Sequence, residues 1–281
     1  MQQSITTPRS IQGIKHTAAK LKRSLSLKTH EAQDLAAQQA GYANFKAARD
    51  TLPEKAFQVS LSCRWLDTIT HLRGNETLTL HLTRPWFQIS CPNAPHKANG
   101  HLHLEKDSTG NLSYYSIAGS QSHARSLICS TARSLLFAEA TGLMRTSSKK
   151  GWPRKKVHGL HGNYMESVVI PGNDHEKTWM DPESGDYVLS DEPYMSSIRL
   201  DRDGIERAKW CKQHGFKELM LTWPGIHNPE GGTRMFLITK AGNSIDLQKM
   251  EKLTRQLPTD ISEDDWKGTS QTFESPIKRQ V

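Results

Sequence analysis

The sequence is short of the signatures on which functional assignment usually rests. No apolar run approaches the ~18 residues that a membrane-crossing helix needs. The opening Met1-Gln-Gln-Ser-Ile-Thr-Thr-Pro8 has neither a charged head nor an apolar stretch, so it does not read as a secretory signal, and the expected location is cytoplasmic. Four cysteines, Cys63, Cys91, Cys129 and Cys211, stand far apart with no Cys-x-x-Cys pair. That spacing excludes a zinc ribbon and fits reduced core thiols. No Gly-x-Ser-x-Gly surrounds Ser122-His123, so no nucleophile elbow is present. The loop Trp223-Pro-Gly-Ile-His-Asn-Pro-Glu-Gly-Gly232 lacks the Gly-Lys-Ser/Thr ending of a phosphate-binding loop. His227 within it could face a ligand, but Pro and Gly at this density also simply solve a turn.

What the sequence does have is positive charge, unevenly placed. Its 281 residues carry a net charge of +8. Residues 1–52 hold eight Lys/Arg against three acids, and residues 143–160 hold six bases and no acid. Residues 174–206 reverse the balance, with ten acids against three bases. A basic front and middle suit a polyanionic partner, although charge runs are also ordinary solvated faces.

The first segment reads as a helical module. Ile14, Ala18, Leu21 and Leu25 recur at helical spacing, with Lys15, Lys22 and Arg23 left toward solvent. Thr29 is placed to cap a second helix whose first turn holds Glu31, with Ala32, Leu35, Ala36 and Gln39 or Ala40 on its buried side. Gly41 ends it, a third short helix runs from about Asn44 to Thr51 burying Phe45 and Ala48, and Pro53 closes the module. Small residues followed by Gly41 give the outline of a helix-turn-helix, with Asn44, Lys46 and Arg49 offered by the presumptive recognition helix. A helical docking module is the competing reading.

The stretch Ala18-Ala-Lys-Leu-Lys-Arg-Ser-Leu25 with Thr29-His-Glu-Ala-Gln-Asp-Leu-Ala-Ala-Gln-Gln-Ala-Gly-Tyr-Ala-Asn-Phe-Lys-Ala-Ala48 resembles a small helical module that heads many bacterial proteins of unknown function, some of them named for the glyoxalase superfamily. With Pro171-Gly-Asn-Asp-His175 and Trp179-Met-Asp-Pro-Glu-Ser-Gly-Asp-Tyr-Val-Leu-Ser-Asp-Glu-Pro-Tyr194, the chain resembles a proteobacterial family of unknown function often found on plasmids and integrative elements. The resemblance covers under a third of the sequence. It implies bacterial origin and an accessory-gene context, and supplies no activity. Nothing in the chain matches a glyoxalase metal site.

From Ala56 the period changes. Phe57, Val59 and Leu61 alternate, as do Leu78, Leu80 and Leu82, then Phe87 and Ile89, then Leu102 and Leu104, with turns at Gly74-Asn75 and Asp107–Asn111. A long amphipathic helix lies between Ser120 and Gly142. Residues 146–158 read as a basic loop or linker, with Trp152 able to stack on a base or pack inward. Strands are expected at Ser167–Ile170, Lys177–Met180, Tyr187–Leu189, Glu218–Thr222 and Met235–Thr239. Asp181-Pro-Glu-Ser-Gly-Asp186 forms a hairpin loop. Helices are expected from about Asp203 to His214 and from Ser244 to Gln256.

The sequence therefore predicts an α+β protein: a small basic helical module (1–53) followed by a mixed, mainly antiparallel sheet with covering helices. The body divides into a β meander with its long helix (54–145), the basic linker (146–158), an α+β C-terminal part (159–257) and a mobile tail (258–281). Three functions remain open. The first is a non-enzymatic nucleic-acid-associated accessory protein of bacterial mobile elements, contacting DNA or RNA through Lys15, Lys22, Arg23, Lys46, Lys149, Lys150, Arg154, Lys155 and Lys156. The second is a metal-assisted enzyme built on Asp174, His175, Asp191 and Glu192, which antiparallel pairing of the hairpin would bring to one open end; His158 and His161 add a further possible pair. The third is an adaptor docking a protein partner through the helical module. No cofactor, resident metal or membrane is expected.

Overall fold

In the computed structural model, residues 8–89, 104–106, 111–146, 148, 150–152, 154–159, 162–167, 170–196 and 203–274 are described, and of 106, 154–159, 162–167 and 203–205 the backbone alone. The fold is α+β, with its helices leading and two mainly antiparallel sheets following. Among the described residues no helix is long and apolar enough to cross a membrane. Two compact units form: one from Met1–Ile89, His103–Ala132 and Pro258–Val281, the other mainly from Arg133–Leu257.

The first unit opens with α1 (Ile11–Leu25), α2 (Thr29–Gln39) and α3 (Phe45–Thr51). Ser10 caps α1 by accepting the Gly13 N–H at 3.1 Å. Ile11, Ile14 and Ala18 bury one stripe of α1 against Ala32, Ala36, Ala37 and Ala40 of α2, with Ala48 and Leu52 completing the small core. Alanine at four of these positions lets the helices approach closely. Leu25, expected on the stripe, is 55% exposed. Lys28, not Thr29, precedes the first turn of α2, and its N–H is held by the Glu31 carboxylate at 2.9 Å.

Sheet A follows, in the order β12-β2-β1-β4-β3: β1 (Phe57–Asp67), β2 (Leu72–Leu82), β3 (Leu104–Lys106), β4 (Leu112–Tyr114) and β12 (Thr269–Glu274). Two expectations are corrected. Gly74-Asn75 is not a turn but lies within β2, opposite Trp65 and Arg64; a Cβ at Gly74 would stand 2.8 Å from the Trp65 ring and 2.1 Å from the Gln271 carbonyl oxygen. The glycine there permits close approach. Phe87 and Ile89 sit in a helical turn, α4 (Trp86–Ile89), begun by Pro85. Leu102 and most of the 107–111 turn lie outside the described residues.

The expected mobile tail contains β12, paired antiparallel to β2 from Thr269↔Thr77 to Glu274↔Leu72. An edge strand exposed on every residue needs no apolar alternation, which is why composition hid it. Buried Glu76 ties it down: its carboxylate accepts from Ser270 Oγ at 2.6 Å, Arg125 Nε at 2.9 Å, Gln121 Nε2 at 2.9 Å and Trp65 Nε1 at 3.3 Å.

Helix α5 (Gln121–Thr141) spans the division between the units. The second unit then builds sheet B, entirely antiparallel, in the order β10-β11-β9-β8-β5: β5 (Met144–Thr146), β8 (Lys177–Met180), β9 (Tyr187–Asp191), β10 (Phe216–Met220) and β11 (Phe236–Lys240). Helices α6 (Asp203–Gln213) and α7 (Leu247–Thr254) accompany it; α7 is capped by Asp246 rather than Ser244, whose N–H and hydroxyl both engage Asp186. Phe137 stacks on Trp223 and tilts onto Trp179 at its centre. Part of the expected basic loop is instead a strand: β6 (Arg154–Gly159) pairs with β7 (Gly162–Ser167) as a two-stranded ribbon. Trp152 packs partly buried against the core around Leu189 and Ile238 and donates to Thr178 Oγ1 at 2.8 Å. Cys63, Cys129 and Cys211 are buried and in no disulfide; Cys91 is outside the described residues.

Candidate functional site

The β8–β9 hairpin places Asp174, His175, Asp191 and Glu192 at one end of sheet B. Register pairs Lys177 with Ser190, and the Glu192 N–H donates to the Asp174 carbonyl at 2.8 Å. The Asp174 N–H in turn donates to Asp191 Oδ1 at 2.8 Å. The four residues are therefore neighbours, but their carboxylates do not converge on an open point.

Asp191 and Glu192 are consecutive and both fully buried, and each is claimed by a different cation. Arg207 of α6 reaches Asp191 Oδ2 at 2.7 Å, and also holds Glu218 at 3.2 Å and the Pro171 carbonyl at 3.1 Å. Lys177 Nζ lies 3.0 Å from Glu192 Oε1. The other Glu192 oxygen accepts from the Ile226 and His227 N–H groups at 2.6 and 2.7 Å. Burial pushes Glu192 up, yet Lys177 and these two donors outweigh it and hold the carboxyl below its ordinary value. For Asp191 burial prevails over Arg207 and the Asp174 N–H, and the carboxyl is raised to about 6.

Above this frame the loop after β10 folds back. Gly225, at φ +122°, lets the backbone pass close to the Glu192 carboxylate. Arg133 of α5 clamps the same loop, donating to the carbonyls of Ile226 at 2.9 Å and His227 at 3.1 Å and to Glu230 at 2.8 Å. The His227 ring lies on His175, centroids 3.5 Å apart and planes 20° apart, with Tyr194 edge-on to both. His175 holds this position from a left-handed backbone, φ +54°. Burial, then the neighbouring His175 and Lys177, push the His227 imidazole down to about 4.

Chemically, the two carboxylates of this frame are fully engaged, while the buried Arg207 Nη2 has no hydrogen-bond partner among the described residues. Each oxygen of Asp191 and Glu192 already accepts from a cation or a backbone N–H. Nearly parallel imidazoles direct their lone pairs along separate planes, not to a shared centre. Among the described residues, no group of three or more His, Cys, Asp and Glu is arranged to hold a metal ion. Ser122 donates to Glu263 at 2.7 Å. Of the histidine pair 158/161, His161 and the side chain of His158 lie outside the described residues.

The basic residues are distributed differently. Lys15, Lys22, Arg23 and Lys46 are all exposed on the helical module. Lys15 pairs with Glu54 at 3.0 Å, and Lys22 donates to the Thr29 hydroxyl at 2.9 Å. Lys150 is exposed; Lys149 and the side chains of Arg154, Lys155 and Lys156 lie outside the described residues. Asn44, expected to read a groove, caps α3 by accepting the Ala47 N–H at 2.9 Å.

Lys177, Arg207 and Arg133 escaped the sequence reading. Only Lys177 left a trace, as a lysine heading the otherwise apolar and buried Lys177-Thr-Trp-Met180. No protein-family model, curated protein or solved structure matches the chain.

Proposed function

We propose that the protein is a cytoplasmic, non-enzymatic nucleic-acid-associated accessory protein, of the kind carried by bacterial mobile elements, that engages its polyanionic partner through the N-terminal helical module. The observation that carries this reading is how the module disposes of its charges. Two of its three acids are held by backbone donors, Glu31 by the Lys28 N–H and Asp34 Oδ1 by the Phe45 N–H, each at 2.9 Å, and the third, Asp50, is exposed on α3. Its bases Lys20, Lys22, Arg23, Lys28, Lys46 and Arg49 are exposed and, among the described residues, paired to no acid. The apolar stripes of the helices are closed on one another, so charge is what the module offers to a partner. The buried pairing of Asp191 and Glu192 supports placing the metal-assisted alternative second.

The direct test is titration of the full chain against fluorescent DNA and RNA at several salt concentrations. Phosphate contact predicts that log affinity falls linearly with log salt, by about 0.9 per contact on a duplex. Replacing Lys149, Lys150, Arg154, Lys155 and Lys156 together with Gln measures the share of the second basic segment. Salt-independent binding, or no binding, removes the nucleic-acid reading and leaves protein docking by the module.

A further inference from the structure

We infer that helix α1, and not the presumptive recognition helix α3, is the contacting element, and that it grips the phosphate backbone of duplex DNA without reading base sequence. The inference rests on the nucleic-acid reading above and specifies its partner and its surface.

Charge separates the three helices sharply. α1 carries Lys15, Lys20, Lys22 and Arg23 and no acid. α2 carries Glu31 and Asp34 and no Lys or Arg. α3 offsets Lys46 and Arg49 with Asp50, and Asp34 sits at its first turn, its carboxylate on the Phe45 N–H at 2.9 Å. A recognition helix enters the major groove by its N-terminal residues. Here that end is occupied by a carboxylate and by an Asn44 amide oxygen already bonded to Ala47 N–H. Placing that carboxylate among phosphates is unfavourable, and the Asn44 side chain is held against the helix end by the Ala47 N–H rather than turned out toward a base.

The outer face of α1 has the opposite character. His16, Lys20 and Arg23 follow the i, i+4, i+7 spacing of one helical face and are all exposed, with exposed Lys22 beside them. At 1.5 Å per residue the strip from His16 to Arg23 is about 10 Å long. One strand of a duplex carries about three phosphates in that axial length. The apolar side of α1, Ile11, Ile14 and Ala18, is buried and Leu25 is exposed at its end, so the helix has no continuous apolar face for a lipid surface.

Two absences within the described module choose the duplex. Single-strand binders stack bases on exposed aromatics, whereas Tyr42 and Phe45 pack partly buried against the helical core. Duplex RNA is distinguished through its 2′-hydroxyls, whereas the strip His16–Lys20–Arg23 offers no hydroxyl or amide. What it supplies is point charge along a backbone.

The test uses the full chain with Lys20→Gln, Lys22→Gln and Arg23→Gln combined, against Lys46→Gln with Arg49→Gln, on two duplex DNAs of unrelated sequence, a duplex RNA and a single strand. The α1 variant should lower the salt slope on both DNA duplexes by up to about 2.7, which shrinks the affinity lost between 50 and 200 mM salt by about 40-fold. The α3 variant should change the slope by less than one contact, and the two DNA sequences should bind within about threefold of each other. Lys20→Arg with Lys22→Arg keeps the charge and should restore wild-type binding, which separates lost charge from lost folding. Wild-type binding that survives the α1 changes, falls equally with the α3 changes, or prefers one sequence, duplex RNA or the single strand overturns the inference while the broader reading stands. No binding of wild-type protein to any nucleic acid overturns both.

Discussion

Lys177 and Glu192 meet at 3.0 Å in the interior of the second unit, with the lysine 5% exposed and the glutamate not exposed at all. Their environments are unequal. Glu192 retains two backbone donors if the lysine is removed, while Lys177 loses its one anionic contact among the described residues if the glutamate is removed. Glu192→Ala should therefore cost more than Lys177→Met, about 3–5 kcal/mol in urea unfolding, because it strands a buried charge and two N–H groups. In the double variant the penalty should fall well below the sum of the two. Equal single costs that add without coupling would remove this asymmetry.

His227 gives the second unit a pH dependence of definite sign. Its imidazole, pushed from 6.5 to about 4 by burial, binds a proton less readily when folded than when unfolded. Stability from this group rises as pH climbs from about 4 to 6.5 and is lost on acidification through that window. Asp191, raised to about 6, acts in the opposite sense, since the folded chain holds its proton longer and stability falls as pH rises from about 4 to 6. His227→Phe keeps a ring on His175 and removes the first effect only. Relative to wild type, the variant should gain stability at about pH 4.5 compared with pH 7, read from urea midpoints. A constant difference across that range would contradict the assignment, as would a His227 NMR titration centred near the ordinary imidazole value.

Gly225→Ala tests the close passage over Glu192. The new Cβ would stand 2.6 Å from Glu192 Oε2 and 3.1 Å from the Met235 Cβ, on a backbone at φ +122°. Gly142→Ala is the control: its φ is also positive, +75°, but nothing lies within 4 Å. The control should lose about 1–2 kcal/mol from backbone conformation alone. Gly225→Ala should lose clearly more, since it also displaces a buried carboxylate. Similar thermal unfolding of the two would show that the Glu192 contact is easily relaxed.

The end of the described chain offers a sharper contrast with the sequence reading. Stopping the chain after Gly268 removes β12 and the Ser270 hydroxyl from Glu76. Ser270→Ala alone should destabilise by about 1 kcal/mol, the net worth of one hydrogen bond, since Glu76 Oε2 keeps the Arg125 Nε, and truncation by more. Unchanged thermal unfolding after truncation would restore the mobile-tail expectation.

These cases show what was legible. Alternation identified β1 and the second half of β2, where one face is buried, and turn chemistry identified the 181–186 loop, closed by Gly185 at φ +73°. Hairpin register was enough to bring Asp174 and His175 toward Asp191 and Glu192. It could not supply the cations. Arg207 comes from a helix, and Arg133 arrives from a position 93 residues from the carbonyl it clamps, so neither leaves a local pattern. Gly74 was misread because a glycine that opens a turn and one that admits a tryptophan ring look alike in sequence. β12 was missed because an exposed edge strand has no core to pattern it.

The Ser270–Glu76 hydrogen bond joins residues 194 apart, and the whole of the second unit lies between them in sequence. During synthesis, β1 and β2 are complete long before their last neighbour exists, and Glu76 emerges with its serine partner still unmade. The first unit is thus a clasp that shuts only after another folding body has been produced inside its span. Closing so long a loop is entropically expensive and slow. The nascent chain must carry an unpaired β2 edge through that interval, open to pairing with another chain.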